Sequence, residues 1–579
     1  MTDVQTTLHD AFRAAIAAAF GPEFADADPL IRLSANPEFG DYQANAAMGL
    51  AKRLHRPPRE VAQAIVSGLE LSDIAEKPGI AGPGFINIRL SASFLNRAAR
   101  ELASDPRLGI PAAESPETVV VDYSCPNVAK EMHVGHLRTT IIGDAIARIL
   151  AFLGHRVIRQ NHLGDWGTQF GMLIEHIADL GWKDGSAYSI GDLNELYRAS
   201  KVKFDADPAF ADRARRRVVA LQSGDGPTVS LWKLLIGESK KHFDVVYAVL
   251  GVLLDDGDYR GESFYNPMLA PTVEELLNSG IAVISEGAAC VFPPGFTGPE
   301  GGPTPLIVRK SDGGFGYDAT DLAALRYRIR ELHATRLIYV TDARQSRHFA
   351  MVFKGAEMAG WLAGGARAEH VPFGTVLGGD GKPFKTRSGD TVKLSDLLSE
   401  AEKRAFDIVS GKSPDTPEAE RRALARAVGI GAVKYADLSN DRIKDYVFDW
   451  DRMLSFDGNT APYLQNAYVR IRSIFRKAEA QGVKPSEADC RTTEERNLAL
   501  ALLQFGGIVE SVARTLEPHR LCGYLYDLAS QFHSFYEKCP VLAAEDAAVR
   551  GSRLALCGQV AAVIAKGLEL LGISVVEKM

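Results

Sequence analysis

The amino-acid sequence predicts a multidomain α/β protein with an N-terminal α/β domain, a parallel-sheet domain split by an insertion, and an all-α C-terminal domain. The chain has 579 residues, enough for roughly three to four domains of ordinary size. It contains two separate strand–helix–strand patterns, which are typical of a parallel sheet. Beyond about residue 406 the apolar residues recur at helical spacing almost to the end.

Residues 1–115 are expected to form the first domain. Leu8, Phe12 and Ile16 share one face of a predicted helix. Near the end of this part, the segment GPGFINIRL alternates apolar residues as a short strand does. A stretch rich in Pro, Ala and Glu at 111–117 predicts a linker to the next domain.

Residues 116–405 are expected to form the central domain. The β-branched run TVVVDYS (118–124) predicts a buried strand, a helical pattern follows, and RVIRQ predicts a second strand. Downstream, RLIYVTDA (336–343), a helix and HVPFGTVLG (370–378) repeat this order. The simplest arrangement is one nucleotide-binding sheet interrupted by an insertion at about 185–305, for which the sequence predicts no function.

Residues 406–579 are expected to form the all-α domain. Leu464, Tyr468 and Ile471 lie on one face of a predicted helix that also carries several arginines. The formal net charge of the chain is −7, which excludes binding to nucleic acid through overall charge. A local basic surface on this domain remains compatible with a nucleic-acid partner.

The cysteines and the chain start predict a cytoplasmic protein. None of the six cysteines forms a C-x-x-C pair, so no structural metal or redox spacing is present, and scattered cysteines fit a reducing compartment. The first residues lack the basic region of a secretory signal. No apolar run of about 18 residues is found, so no membrane span is expected.

The sharpest chemical signal is the segment His133-Val134-Gly135-His136, in the loop between the first strand and its helix. A helix N-terminus offers free N–H groups and a positive dipole end to a phosphate. Gly135 is expected to let the backbone approach a nucleotide. Two imidazoles are then placed to donate hydrogen bonds to a phosphate under attack. A chance or purely structural histidine pair is the alternative.

A second phosphate-binding element is expected in the loop GGDGKPFKTRSGD (378–390), which follows the last predicted strand. Its cations Lys382, Lys385 and Arg387 are suited to neutralise a pyrophosphate leaving group. A solvated surface loop is an equally simple explanation when this loop is considered alone.

Together these segments resemble the two signatures of class I aminoacyl-tRNA synthetases, whose consensus strings are HIGH and KMSKS. The finer similarity is to arginyl-tRNA synthetases, and it extends over essentially the whole chain. The segments that carry it are SCPNVAKEMHVGH (124–136), GDWGTQFG (164–171), SDGGFGYDATDLAA (311–324), YVTDARQSRHF (339–349) and PYLQ (462–465).

The resemblance implies a class I Rossmann-type catalytic domain with a connective insertion, an N-terminal appended domain and a helical anticodon-binding domain. It implies that ATP, with Mg²⁺, activates L-arginine as arginyl-adenylate, which is transferred to the terminal adenosine of tRNA(Arg). Such enzymes generally need bound tRNA even for activation, and the usual form is a monomer. The resemblance implies no protein-bound structural metal and no membrane partner.

One departure from the family pattern concerns the second signature, where FKTRSG stands in place of KMSKS. By resemblance, the lysine just upstream of the histidines, Lys130, compensates for this loss. Both Lys130 and Lys385 are therefore expected to act on phosphate, with His133, Gly135 and His136. His348 is expected to contact ATP, although a structural histidine is an equal alternative.

Recognition of a guanidinium requires carboxylates in a forked arrangement. Asp122 ends the first strand, and Asp321 lies in the first turn of a helix, where a dipole effect is the alternative explanation. By resemblance, Tyr317 and Asp321 face the substrate guanidinium, whereas Asn127 and Gln345 hold its α-amino and carboxylate groups. Ser124 is a further expected member. The alternatives are a core aromatic for Tyr317, a strand-end cap for Asp122 and turn chemistry for Ser124 and Asn127.

The resemblance also places the tRNA contacts. In the helical domain the expected anticodon contacts are Tyr463, Arg470, Tyr536 and Met579, against the alternative that these are core or solvated residues. In the N-terminal domain the matching loop carries Asn36, Phe39, Asp41 and Gln43, where an ordinary turn is the alternative.

Two other classes of protein compete with this interpretation. Shorter nucleotidylyltransferases share the His-x-Gly-His loop but lack a helical RNA-binding tail. A non-catalytic tRNA-binding relative would not need intact His133, His136 and Asp321. An exchange assay across amino acids, with and without tRNA, separates the three classes.

Overall fold

The computed structural model describes residues 4–34, 36–181, 190–298, 301–384 and 392–579. The N-terminal domain is a four-stranded antiparallel sheet, in the order β1-β2-β4-β3, packed against helices. Its elements are α1 (Val4–Phe20), β1 (Ile31–Leu33), β2 (Tyr42–Ala44), α2 (Ala46–Leu54), α3 (Pro58–Ser67), β3 (Gly79–Ala81), β4 (Phe85–Ile88) and α4 (Ala92–Ser104). The predicted apolar face of α1 is buried in the core.

The central domain is built on a parallel sheet in the order β11-β10-β5-β6. Its first half is β5 (Thr118–Asp122), α5 (Val134–Phe152) and β6 (Arg156–Gln160). Its second half is β10 (Arg336–Asp342), α12 (Ser346–Met358) and β11 (Arg367–Phe373). The strand that follows β5 in the chain, β6, lies on one side of it, and the strand that follows β10, β11, lies on the opposite side of the sheet. The direction in which strands are added therefore reverses between β5 and β10. The carboxyl ends of β5 and β10 therefore border the crevice in which open α/β sheets bind ligands.

The insertion between β6 and β10 is mostly helical and adds a small antiparallel sheet in the order β7-β8-β9. Its elements are α6 (Thr168–Asp179), α7 (Ile190–Ala206), α8 (Pro208–Gln222), α9 (Gly226–Leu250), α10 (Asn266–Asn278), β7 (Ala282–Ser285), β8 (Ala288–Val291), β9 (Leu306–Arg309) and α11 (Tyr317–Arg330). Asp225 caps α9 through its side chain, and Gly251 ends it in a left-handed conformation.

The C-terminal part is almost wholly helical. Its elements are β12 (Val376–Leu377), α13 (Leu394–Lys412), α14 (Glu418–Leu438), β13 (Tyr446–Val447), α15 (Trp450–Met453), α16 (Ala461–Ala480), α17 (Thr493–Leu503), α18 (Phe505–Thr515), α19 (His519–Lys538) and α20 (Ala547–Leu570). Two stretches, Thr493–Thr515 and Ala547–Leu570, have the length and hydropathy of a membrane span, but more than half of each lies buried against the protein. They are core helices of this domain.

The structure confirms the strand predicted at 156–160 and the presence of those predicted at 118–124 and 336–343, which end earlier, at Asp122 and Asp342. The prediction of one strand at 370–378 is wrong, because β11 ends at Phe373 and β12 begins at Val376. The intervening Gly374 donates its N–H to the Arg442 carbonyl, and a Cβ here would lie 2.6 Å from the Asp445 carboxylate. The chain thus leaves the sheet to pair β12 with β13.

Candidate active site and tRNA surface

The His133–His136 segment opens α5 at the carboxyl end of β5, and its backbone fixes both imidazoles. His133 Nδ1 accepts a hydrogen bond from the Gly135 N–H, and His136 Nδ1 accepts one from the His133 N–H, each at 3.0 Å. A neutral imidazole that accepts at Nδ1 carries its proton at Nε2. Both rings therefore present an Nε2–H donor, and their centroids lie 4.0 Å apart.

The surroundings keep both imidazoles neutral near pH 7. Burial, with the charges of Lys130 and Arg344, lowers the pKa of His133 below its ordinary value. Deeper burial, with the neighbouring His133, lowers the pKa of His136 to about 3. Because their charges act on the pKa of His133, Lys130 and Arg344 belong to the same cluster as the two histidines. The sequence provided no signal for Arg344, which follows β10 and forms two hydrogen bonds with Asp342.

Gly135 has a local structural role. A Cβ at this position would lie 2.8 Å from the His133 ring, closer than real Cβ atoms come. Glycine is required here because the ring folds over the start of the helix. The expectation that Gly135 serves close approach of a nucleotide stays a prediction.

The loop between β5 and α5 has a strained backbone, and a hydrogen bond with a residue of the insertion fixes its position. Ser124, Cys125 and Ala129 have φ values of 74°, 49° and 60°, a region that non-glycine residues seldom occupy. The Ala129 N–H donates to Ser239 Oγ of α9 at 2.9 Å. The insertion thus fixes the backbone immediately before Lys130.

The residues that follow the second predicted phosphate loop (378–390) contact the His133–His136 segment. The Val134 N–H donates to the Val392 carbonyl at 3.1 Å, and the Leu394 N–H donates to the Met132 carbonyl at 2.9 Å. Lys393 Nζ lies 2.7 Å from the Glu131 carboxylate. Lys382 lies in an exposed turn. Lys385 and Arg387 fall at 385–391, outside the described residues.

A carboxylate cluster stands at the start of α11. Asp321 Oδ2 lies 2.5 Å from His348 Nε2, and Asp318 Oδ1 lies 3.5 Å from His348 Nδ1. Burial alone would lower the pKa of His348, but the hydrogen bond and charge of Asp321 outweigh it and raise that pKa. The Tyr317 ring packs 5.1 Å from the His348 ring and is 68% exposed. Tyr317 and Asp321, predicted together to face arginine, therefore meet His348, which was predicted to contact ATP.

The structure adds Glu262, which sequence reasoning missed. Burial, followed by the charges of Asp165 and Asp321, raises the pKa of Glu262 to about 7. The Glu262 N–H donates to the Leu163 carbonyl, which ties this residue to the segment beginning at Gly164. Glu262 belongs to a short turn of the insertion, where no periodicity distinguishes it from a solvated acid.

Asp122 and Ser124 are engaged inside the protein. Asp122 Oδ2 lies 2.5 Å from Arg328 Nη2, and the Cys125 thiol donates to Asp122 Oδ1 at 3.0 Å. Ser124 Oγ lies 2.6 Å from the Tyr247 hydroxyl. Both residues are almost fully buried. In this geometry both side chains have partners inside the protein, and the expectation that they contact arginine stays a prediction.

Asn127 and Gln345 are exposed at the same edge of the sheet. A Cβ at Gly164 would lie 2.2 Å from Asn127 Oδ1, so the GDWGTQFG segment supplies glycine where the Asn127 side chain crosses it. Gln345 precedes α12. Trp166 of this segment packs edge-on against Trp232.

A basic cavity of about 460 Å³ lies on the helical domain. Its lining brings together three of the four predicted anticodon contacts, Arg470, Tyr536 and Met579. Three further cations, Arg476, Lys477 and Lys578, also line it. The fourth predicted contact, Tyr463, is half-buried, and its hydroxyl lies 2.8 Å from His533 Nδ1.

The predicted N-terminal loop is a turn on the surface. Asn36 Oδ1 accepts from the Glu38 N–H, Phe39 is 51% exposed, and Gln43 Nε2 donates to Asn87 Oδ1 at 2.9 Å. Asp41 accepts from the Leu90 N–H and forms an ion pair with Arg496 of α17. Asp41 therefore joins the N-terminal domain to the helical domain, and Phe39 is left exposed.

Comparisons with known proteins agree with this architecture. Three family models match: the arginyl tRNA synthetase N terminal domain at 6–90, the tRNA synthetases class I (R) catalytic domain at 99–450, and the DALR anticodon binding domain at 464–579. The chain is 55% identical to the arginine–tRNA ligase of Thermobifida fusca, covering 100% of both chains. It is 53% identical to that of Cellvibrio japonicus, covering 96% of each.

Solved structures give the same result. The arginyl-tRNA synthetase of Plasmodium falciparum superposes with a TM-score of 0.87 at 32% identity, and that of Thermus thermophilus with 0.84 at 27%. Each comparison covers 100% of both chains. The chain therefore belongs to the arginyl-tRNA synthetase family and has its class I catalytic domain, its N-terminal domain and its helical anticodon-binding domain.

Proposed function

We propose that this enzyme activates L-arginine with ATP and transfers the arginyl group to the terminal adenosine of tRNA(Arg), releasing AMP and pyrophosphate. The observation that carries the proposal is that two sets of side chains, a pair of histidines and a cluster of carboxylates, lie at the same edge of the parallel sheet. Neutral imidazoles with Nε2–H donors suit a phosphate, and a cluster of carboxylates suits a guanidinium.

On the phosphate side, the arginine carboxylate attacks the α-phosphorus of ATP and pyrophosphate leaves. His133 and His136 donate from Nε2 to oxygens whose negative charge grows in the transition state. Lys130 adds a positive charge next to both rings. Lys385 is proposed for the same task. Catalysis is by position and electrostatics, without a protein nucleophile.

On the amino-acid side, Asp321 and Glu262 are proposed to hold the guanidinium, with Tyr317 against it. His348 Nε2 lies 2.5 Å from the Asp321 carboxylate and its ring packs against Tyr317. His348 is also proposed to contact ATP. Asn127 and Gln345 are proposed for the α-amino and carboxylate groups. Asp122 and Ser124 are proposed to stabilise the loop that forms the site. Asp122 neutralises the buried Arg328, and Ser124 forms a hydrogen bond with Tyr247.

On the tRNA side, the cavity lined by Arg470, Tyr536 and Met579 is proposed to receive anticodon bases, with its cations on the phosphates. Tyr463 supports it through His533. In the N-terminal domain, Asn36, Phe39 and Gln43 are proposed to contact the tRNA, and the exposed ring of Phe39 is suited to stack on a base.

We also propose how Mg²⁺ is bound, where the enzyme acts, its oligomeric state and its domain boundaries. Mg²⁺ would be bound by ATP, since Mg²⁺ favours phosphate oxygens and retained waters. Free thiols at all six cysteines fit a cytoplasmic enzyme. We further propose a monomer with domains at 1–115, 116–405 (insertion at about 185–305) and 406–579.

ATP–pyrophosphate exchange, measured for each amino acid with and without tRNA(Arg), tests the proposal. Arginine alone should support exchange, and only when tRNA(Arg) is present. Exchange with another amino acid would refute the assignment of the pocket, and absence of exchange with arginine and tRNA would refute the enzyme function.

A further inference from the structure

The insertion places an aromatic ring against the lysine next to the His133–His136 segment. Lys130 Nζ lies 4.8 Å from the centroid of the Tyr197 ring, which projects from α7. Both side chains are half-buried. Within the described part of the chain, Lys130 forms no ion pair with a carboxylate, so the ring is the group that holds its ammonium.

The backbone beneath Lys130 is fixed by the same insertion. Ala129 has a φ of 60°, and its N–H donates to Ser239 Oγ of α9. The start of the lysine side chain is therefore held by α9 and its end by α7. A lysine side chain has several rotatable bonds and loses rotamer entropy when it is held.

We propose that Tyr197 is a positioning residue that holds the Lys130 ammonium beside His133 and His136 for contact with the phosphates of ATP. This inference rests on the phosphate role proposed for Lys130. The ring face attracts the ammonium without neutralising its charge or using its N–H groups, which stay available to phosphate oxygens. A carboxylate in this position would compete with the phosphate for the same charge.

The test is a double-mutant cycle in the full-length enzyme, with tRNA-dependent ATP–pyrophosphate exchange as the readout. Tyr197→Leu should lower kcat by about threefold to tenfold, as loss of a half-buried cation–π contact predicts, and leave KM for arginine unchanged. Tyr197→Phe should retain kcat because it keeps the ring. In the Lys130→Ala background, Tyr197→Leu should cause no further loss.

Phe204→Leu on the same helix is the matched control. It truncates another partly buried ring that packs against the same small apolar cluster as Tyr197. It should leave kcat unchanged, and the melting temperatures of all variants should agree within a few degrees.

The outcomes separate the two proposals. If Lys130→Ala leaves exchange unchanged, the phosphate role of Lys130 is refuted, and the role of Tyr197 with it. If Lys130→Ala impairs exchange but Tyr197→Leu matches the wild type, is faster than it, or adds its full effect in the Lys130→Ala background, only the positioning role is overturned.

Discussion

Two histidines show how far single residues could be interpreted from sequence. His133 and His136 were predicted as phosphate donors because they lie between a strand and a helix. Their tautomers could not be predicted, because these depend on hydrogen bonds to backbone N–H groups of the folded turn. The pairing of Asp122 with Arg328 was likewise not predictable, since the two residues are distant in sequence.

The raised pKa of Glu262 predicts that arginine binding depends on pH. Its pKa is raised to about 7, so the side chain is mostly neutral at pH 6 and mostly charged at pH 8. A cationic substrate binds better to the charged form, so KM for arginine should fall by about tenfold between these pH values. In Glu262→Gln this pH dependence should be lost. Steady-state exchange at saturating ATP and tRNA measures it.

Glu274→Gln is the control, because Glu274 is an exposed acid on α10 of the same insertion. It should retain the pH dependence of the wild type. Persistence of the full dependence in Glu262→Gln would contradict the guanidinium-binding role of Glu262.

Among the elements, α9 contacts both the loop before α5 and helix α14 of the C-terminal part. Its Ser239 and Tyr247 bond to the loop before α5, at Ala129 and Ser124. At its C-terminus, Arg148, Arg426 and Lys434 donate to its last carbonyls, at Gly251, Ala248 and Leu250. Cations at a helix C-terminus also complement the helix dipole. The C-terminal half of the long insertion helix is thus fixed both to the loop before α5 and to the helical domain.

Lys434 allows the contact between α9 and the helical domain to be tested through the free energy of unfolding of the protein. Burial lowers its pKa to about 8, against an ordinary value of 10.5 in the unfolded chain. Between these values the unfolded state binds more protons, so the free energy of unfolding gained from this residue rises with pH. The rise should be on the order of 1 kcal/mol from about pH 8 to 9.5. Lys434→Met should abolish it, as measured by urea denaturation.

An exposed lysine on the insertion provides the comparison. Lys201→Met should show the same pH profile as the wild type, because the Lys201 side chain is 51% exposed. The docking account fails if Lys434→Met keeps the alkaline rise in stability. It also fails if Lys434→Met costs no stability at pH 7, because the Leu250 and Gly572 carbonyls would lose their donor.

At the scale of elements, the sequence predicted what depends on local pattern. The strands of the parallel sheet were visible because they are β-branched runs bounded by polar residues. The folding of the insertion was not predictable, since its helices find their partners through contacts with distant parts of the chain. The break between β11 and β12 was missed because its cause, the carbonyl of Arg442, lies far downstream.

In the whole molecule, the helical domain places a basic cavity apart from the catalytic sheet. Arg470 lies 5.8 Å from the Tyr536 ring in that cavity, an arrangement suited to a stacked base. The overall charge of −7 gives no sign of this local surface, whereas the arginines of the predicted helix and the resemblance pointed to it. The structure adds Arg476, Lys477 and Lys578 to the predicted contacts.

Arg470→Ala should raise KM for tRNA(Arg) by about tenfold, which corresponds to the loss of one cation or stacking contact. KM for arginine at saturating tRNA should stay the same, because the catalytic site is intact. Arg404→Ala, which removes an arginine packed on Trp450 outside the cavity, serves as the control. Equal effects of both substitutions on aminoacylation would contradict the proposed anticodon surface.

The central claim is that carboxylates select the substrate by the charge of its guanidinium. The most direct measurement compares arginine with citrulline, in which an uncharged urea group replaces the guanidinium, in tRNA-dependent exchange. We predict a kcat/KM for citrulline on the order of 10⁴-fold lower, because the half-buried carboxylates of Glu262 and Asp321 would lose the cationic group that they are proposed to bind. A kcat/KM for citrulline within tenfold of that for arginine would contradict the account.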